Sequence, residues 1–324
     1  MKLLVAILNF RTTDLTIDCL RSLEPEVAAT AGFRVAVLEN GSGQPDAYPR
    51  LQRAVSEHGW GHWVEVTASP SNLGFTGGNN LLIRRALASD DPPEYVLLLN
   101  SDTRVEPRAL GALVEHMERT PAAGIGGSTL LSAEGAVQAS PFRFGSLAAE
   151  LDRGLRLGAV SRLLSRWAVV MRTPAAACAV DWVSGASMIL RRTMLDEIGL
   201  LDEGLFTYFD DLDLCLRARR AGWQTWFVPE SRVIHLEGAS SGISDRMRRR
   251  PAYWFQARRR FLLKNYGRTY AALADAAFIS GFAVWRLRRR LQGKPDLDPP
   301  HMLADAYRHS VFGAGFALNE VRRP

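Results

Sequence analysis

Two runs in this sequence are apolar at every position: residues 3–8 (Leu-Leu-Val-Ala-Ile-Leu) and residues 95–99 (Tyr-Val-Leu-Leu-Leu). Each gives way at once to a polar turn, Asn9-Phe10-Arg11 in the first case and Asn100-Ser101-Asp102 in the second. A strand with no polar side has to be covered on both faces. Residues 13–23, 79–88 and 107–118 carry helical periodicity, and residues 34–38 and 63–67 read as further strands. This alternation predicts an α/β fold with a mixed, mostly parallel sheet and helices on both faces. In open sheets of that class, ligands bind beyond the carboxyl ends of the strands. The turns after the strands are therefore where chemistry is expected.

The 324 residues suffice for one large α/β domain plus an appendage, and an apolar share of 47% can fill a full core. The three cysteines, Cys19, Cys178 and Cys215, are odd in number and lack CxxC spacing. That argues against a disulfide framework or a structural zinc site and predicts reduced thiols in a cytosolic protein. The first apolar run is too short for a signal peptide, because Asn9, Arg11 and Asp14 follow it. Between residues 246 and 290, thirteen Lys/Arg face the single acid Asp275, a net of +12 in a chain whose total is +6. The basic character thus belongs to one segment. A main domain over residues 1–245 and a basic, amphipathic helical extension over residues 246–324 are expected. Residues 141–174 read as a variable surface insert.

Four clusters carry candidate chemistry. In Asn100-Ser101-Asp102 a carboxylate follows a buried strand, where it suits a hard divalent cation that also binds a diphosphate; the alternative is a helix cap. In Asp210-Asp211-Leu212-Asp213 three acids crowd four positions. One of them suits a general base, and the alternative is an acidic helix N-terminus favoured by the macrodipole. His235 follows an apolar run, with Ser240 and Ser241 after it, and reads as a metal ligand or as a structural histidine. Asn72-Leu73-Gly74-Phe75-Thr76-Gly77-Gly78-Asn79-Asn80 allows close backbone approach to a ligand. It has neither the Walker GK[ST] nor the dinucleotide G-x-G-x-x-G pattern.

The order of these stretches resembles family-two glycosyltransferases of the rhamnosyltransferase-like branch, which have a GT-A fold. The matching segments are VAILNF (5–10), LENGSG (38–43), NLGFTGGNN (72–80), LLLNSDT (97–103), WVSGASMILRR (182–192) and the run at 199–240. The resemblance implies that Asp102, in the family's metal motif, binds Mg²⁺ or Mn²⁺ and that His235 completes the site. It implies that Asp211 is the catalytic base and Asp210 its paired acid. Asn9, Glu39 and Asn72 fall where the nucleotide is gripped, with Gly74, Asn79 and Asn100 beside them. Gly185 and Ala186 fall on a loop lining the donor and acceptor pocket. Glu39 stands where the family has Asp, and Asp210 where it has Glu.

The resemblance implies transfer of rhamnose or another hexose from a dTDP- or UDP-sugar to an acceptor hydroxyl, with inversion. The acceptor expected is a glycan or lipid-linked precursor of a cell-surface polysaccharide. The rival is a non-catalytic nucleotide-sugar or glycan-binding subunit, which predicts a broken site. A nucleotidyltransferase would want a basic Gly-rich loop after the first strand, and none is present. The arginine-rich tail is interleaved with Trp254, Phe255, Phe261 and Trp285 in helical patterns, which suits an anionic membrane surface rather than nucleic acid. Residues 276–285 are too short to span a bilayer. They are expected either at the cytoplasmic face of a membrane or packed on the main domain or across a homodimer interface.

Overall fold

The computed structural model describes residues 1–30, 32–236 and 248–319; Ser240, Ser241 and Arg246, singled out above, lie outside them. In chain order the elements are β1 (Leu3–Asn9), α1 (Thr13–Ala29), β2 (Phe33–Asn40), α2 (Ala47–Glu57), β3 (Val64–Ser69), α3 (Gly74–Leu87), β4 (Tyr95–Asn100), β5 (Thr103–Val105), α4 (Ala109–Arg119) and β6 (Ala123–Leu131). There follow β7 (Pro141–Phe142), α5 (Leu147–Leu155), α6 (Gly158–Leu163), β8 (Cys178–Val180), β9 (Trp182–Val183), β10 (Ser187–Arg191), α7 (Arg192–Ile198), α8 (Asp210–Arg220) and β11 (Gln224–His235). The chain closes with α9 (Ala252–Leu291), α10 (Met302–His309) and α11 (Val311–Ala314).

The main sheet runs β3-β2-β1-β4-β10-β6-β11-β5, with β8 on β11. β1 pairs in parallel with β2 and β4, β2 with β3, and β6 with β11, while β10 is antiparallel to both neighbours. The continuous apolar strands have the physical cause expected of them. Leu3, Val5, Ile7, Leu97 and Leu99 pack with Leu20 and Leu23 of α1, Leu51 of α2 and Leu113 of α4. Leu4, Ala6, Val96 and Leu98 face the other way, onto Leu82 and Ile83 of α3, Met194 of α7 and Leu214 of α8. Successive side chains alternate sides, so a strand buried on both must be apolar throughout. Each such side chain contributes about 1.5–3 kcal/mol of burial.

Residues 141–174 are more than a surface insert. Within them α5 lies against α9, and Gly154 meets Gly281 at the crossing. A Cβ on Gly154 would stand 2.7 Å from the Phe278 carbonyl oxygen, and one on Gly281 would stand 2.9 Å from that of Leu151. Beside the crossing, buried Arg258 pairs with Asp275 and, at 2.7 Å, with Glu150. Cys19 and Cys215 are buried free thiols, each pushed up to about 12 by burial, and Cys178 is half-buried. Among the described residues no helix is long and apolar enough to cross a membrane.

Candidate active site

The register of the sheet brings the polar turns level. Asn9 stands opposite Glu39, Glu39 opposite Ala68, and Leu8 opposite Asn100. β11 ends on His235 opposite Thr103, and Leu236 N–H donates to the Asp102 carbonyl at 3.0 Å. Asn9, Glu39, Asn72, Asn100, Asp102, Gly185 and His235 consequently share one edge.

Asp102 is followed by β5, so it caps no helix. Its carboxylate is buried, and Oδ1 lies 3.4 Å from His235 Nε2, which is also 3.2 Å from Asn100 Nδ2. His235 Nδ1 is buried with no hydrogen-bond partner in the structure. Two donors bound side by side to one octahedral cation at about 2.1 Å stand roughly 3 Å apart, so this pair fits a shared Mg²⁺ or Mn²⁺. Among the described residues no group of three or more His, Cys, Asp or Glu can hold a metal. Among the described residues Asp102 and His235 are the ligands on offer, which suits an ion that takes further oxygens from phosphate and water.

The acidic cluster is set by its backbone. Tyr208 and Phe209 take φ of 67° and 61°, a left-handed conformation that costs non-glycine residues energy and is found where a site demands it. α8 starts directly after, with Asp210 and Asp213 sunk in the protein and Asp211 half-buried. Asp211 Oδ2 accepts Gly185 N–H at 3.3 Å, and Oδ1 accepts Leu212 N–H at 2.9 Å. Burial pushes the Asp211 carboxyl up to about 6, against the pull of those two amides. Asp210 is raised well above the usual range, first by burial and then by the neighbouring Asp211 charge. A group titrating near neutrality is matched to proton transfer at physiological pH. Asp213 has another occupation: it accepts from Arg217 Nε at 2.9 Å, Lys264 Nζ at 2.9 Å and Asn265 Nδ2 at 2.8 Å.

The residue between the two centres is Ala186. Asn100 N–H donates to the Ala186 carbonyl at 3.0 Å, while Gly185, one residue before, holds Asp211. His235, Asn100, the 185–186 turn and Asp211 are thus contiguous.

The remaining expected residues mostly shape turns. Asn9 is wholly buried, and its Oδ1 accepts from Thr16 Oγ1 at 3.0 Å. Glu39 folds back on its own turn and accepts from Gly41 N–H at 3.1 Å and Ser42 N–H at 2.8 Å. Asn72 Oδ1 takes the Gly74 N–H at 2.9 Å, and Asn79 Nδ2 donates to the Phe75 carbonyl at 2.9 Å. Sequence reasoning missed Asn40, which donates to the Gly74 carbonyl at 3.0 Å and accepts Leu73 N–H at 3.1 Å. Asn80, named in the glycine-rich run without a role of its own, exchanges hydrogen bonds with the Leu201 backbone. Both stand next to residues that were singled out, Glu39 and Asn79, and the doubled asparagine was the one available signal.

Comparison with known proteins identifies the family and the fold. The family model described as "Glycosyltransferase like family 2" matches residues 2–253. N-acetylglucosaminyl-diphospho-decaprenol L-rhamnosyltransferase of Mycobacterium tuberculosis is 28% identical over 291 residues, covering 85% of each chain. Rhamnosyltransferase WbbL of Escherichia coli is 39% identical over 56 residues, 17% of this chain and 21% of that one. Among solved structures, GalNAc-T7 with UDP, GalNAc and Mn²⁺ superposes with a TM-score of 0.61 at 14% identity, over 91% of this chain and 55% of the other. The mannosyltransferase PcManGT of Pyrobaculum calidifontis, in complex with GDP-Man and Mn²⁺, gives 0.54 at 12% identity, over 90% of this chain and 75% of the other. At such identities the two structures establish the fold, which is of the GT-A type.

Proposed function

The chain belongs to glycosyltransferase family 2, and from that premise we propose that it is an inverting, metal-dependent transferase moving rhamnose or a related hexose from a nucleoside diphosphate to an acceptor hydroxyl. The observation that carries the reading is the contiguity of Asp211, the 185–186 turn, Asn100 and the Asp102–His235 pair. A general base and a cation-binding pair at one strand-end edge are what a single displacement at an anomeric carbon needs.

In the proposed step, Asp211 takes the proton of the acceptor hydroxyl. That oxygen forms the new bond to the anomeric carbon while the bond from that carbon to the diphosphate oxygen breaks. One displacement inverts the centre. Gly185 and Leu212 hold the Asp211 carboxylate toward the acceptor, and the turns at Glu39–Ser42 and Asn72–Gly74 shape the nucleotide's seat. Asp102 and His235 would hold a divalent cation, which when bound would supply charge neutralisation for the departing diphosphate.

The mycobacterial relative's name supports rhamnose as the sugar transferred and a diphosphate-lipid-linked sugar as acceptor; to these we add dTDP as the donor's nucleotide and a role in cell-surface polysaccharide assembly at the cytoplasmic face of a membrane. A non-catalytic binding subunit predicts a broken site, whereas Asp102, Asp211 and His235 are all present, with Asp211 held by the Gly185 and Leu212 amides. The test is nucleotide release, with Mn²⁺, from a panel of dTDP-, UDP- and GDP-sugars offered with a lipid-linked acceptor analogue. Acceptor-dependent release from one donor, with the opposite anomer in the product, is expected. Binding of donor with no acceptor-dependent release from any of them overturns the reading.

A further inference from the structure

The second half of α9 has two unlike sides. Phe278, Gly281 and Phe282 turn inward, where Gly281 meets α5. On the opposite side Leu273, Val284, Leu287 and Leu291 are exposed by 52%, 51%, 61% and 79%. Only alanine or serine, at 276, 280 and 283, is exposed between Leu273 and Val284 along this line. Every exposed residue of α9 from Leu273 to Leu287 is thus uncharged. At about 1.5 Å per residue the stripe from Leu273 to Leu291 is roughly 27 Å long. A helix side that faces water ordinarily carries charges, and a continuous apolar strip marks a surface that is covered in use.

The end of the stripe says by what. Arg290 lies on the same line, and Lys294 follows just past the helix; both are exposed, and neither pairs with a described carboxylate. The carboxylates nearby are already engaged, Asp296 by Arg289 and Asp298 by Arg156. The rim is therefore cationic. A second copy of the chain seated here would present the same cations and meet a centre of small residues that buries little area. An anionic bilayer accepts a shallow apolar stripe and attracts the cations at its rim.

We propose that the Leu273–Leu291 side of α9 is the surface on which the protein lies against an anionic lipid membrane. This rests on the reading of a lipid-linked acceptor, and it places the enzyme where such an acceptor's head group projects. It also revises which residues do the docking. Within residues 276–285, Phe278 and Phe282 are committed to the interior, while Leu287 and Leu291 lie beyond that run.

The experiment is flotation of the full chain with vesicles of phosphatidylglycerol and phosphatidylcholine, against phosphatidylcholine alone, with no acceptor present. The wild-type protein is expected to float with the anionic vesicles at low salt and to be released as ionic strength screens the cations. Leu287→Glu and Leu291→Glu should each lower the bound fraction about ten-fold or more, and Arg290→Glu should weaken binding to the anionic vesicles only. Because Leu287 and Leu291 are exposed, these variants should keep the wild-type circular dichroism and turnover on a water-soluble acceptor. Wild-type protein left in the soluble fraction, or flotation unchanged by Leu287→Glu, overturns the proposal. So does a dimer that Leu287→Glu dissociates in sedimentation without any vesicle binding. Wild-type protein that floats with anionic vesicles yet shows no turnover on the soluble acceptor would support the membrane surface and count against the catalytic reading alone.

Discussion

Lys264 on α9 places its ammonium 2.9 Å from Asp213 on α8, and the same nitrogen lies 2.9 Å from Asp202. Those two carboxylates bracket the 203–209 loop and the first turn of α8, which carries Asp210 and Asp211. The third acid of the cluster is thus explained: Asp213 ties the start of α8 to the C-terminal helix α9. Lys264→Met leaves Asp213 its bonds to Arg217 and Asn265, so the protein should fold. Turnover should fall roughly three- to ten-fold with donor KM little changed, the signature of a positioning residue. Losing a cation beside crowded carboxylates should also move the acid limb of the kcat profile upward, and Lys264→Arg should restore both. An unmoved pH profile would leave Lys264 a merely structural tie.

Asp211 carries a sharper prediction. Asp211→Asn should reduce turnover by roughly 10²–10⁴-fold and leave donor binding nearly intact. The base works ionised and its carboxyl is pushed up to about 6, so wild-type kcat should fall as pH drops through about 6. Stability runs the other way. A carboxyl whose folded pKa is raised favours folding below its unfolded value, near 3.9, and loses that contribution as pH rises through the folded one. At pH 8 the asparagine variant should therefore melt a few degrees above wild type, on the order of 1 kcal/mol or more, with the gap closing near pH 4. Wild-type turnover in the variant would remove Asp211 from the chemistry.

The strands were legible because their burial is symmetrical: residues 3–8 and 95–99 have no polar side to hide, and both became central strands. The place of the polar turns at the strand ends followed from that, while the roles proposed for Asn9, Glu39 and Asp102 within them came from the family resemblance. What sequence could not convey is pairing at long range. β10 inserts antiparallel between β4 and β6, and nothing in residues 187–191 announces its neighbours. The α5 region looked irregular because Gly154 reads as a helix breaker, whereas it is the point where a second helix backbone approaches. The roles of Asn40 and Asn80 were hidden for the same reason, since each bonds to backbone far away in sequence.

The cation pair can be tested without the catalytic assay. Asp102→Ala should abolish activity and Mn²⁺-dependent nucleotide binding together. His235→Ala should raise the Mn²⁺ concentration giving half-maximal nucleotide binding by about 10–100-fold, the scale of loss when a metal site's supporting groups are removed. Titration calorimetry of UDP or dTDP over a series of Mn²⁺ concentrations reads both. Unchanged binding and full turnover in excess EDTA would exclude the pair from metal work.

The glycine-rich turn is tied to the 205–209 loop ahead of Asp210 and Asp211 through contacts that a single methyl would break. Gly74 has φ of +72°, and a Cβ there would lie 2.3 Å from the Phe206 carbonyl oxygen. Phe75 N–H donates to that same oxygen at 2.9 Å, and Thr76 Oγ1 donates to the Leu205 carbonyl at 2.5 Å. Two and three residues past Phe206, at Tyr208 and Phe209, the chain takes its left-handed turn into Asp210 and Asp211. Gly43 offers the control, with φ of +71° and open space around its Cβ. Gly43→Ala should incur only backbone strain, roughly 1–2 kcal/mol, and keep near wild-type turnover. Gly74→Ala adds the clash, so the turn must part from the 205–209 loop and Asp211 must shift with it. A loss of turnover of about ten-fold or more beyond the control is expected, because small misplacements of a reacting group cost rate steeply. Equal turnover in the two alanine variants, measured on folded protein, would show that the turn and the base are not coupled.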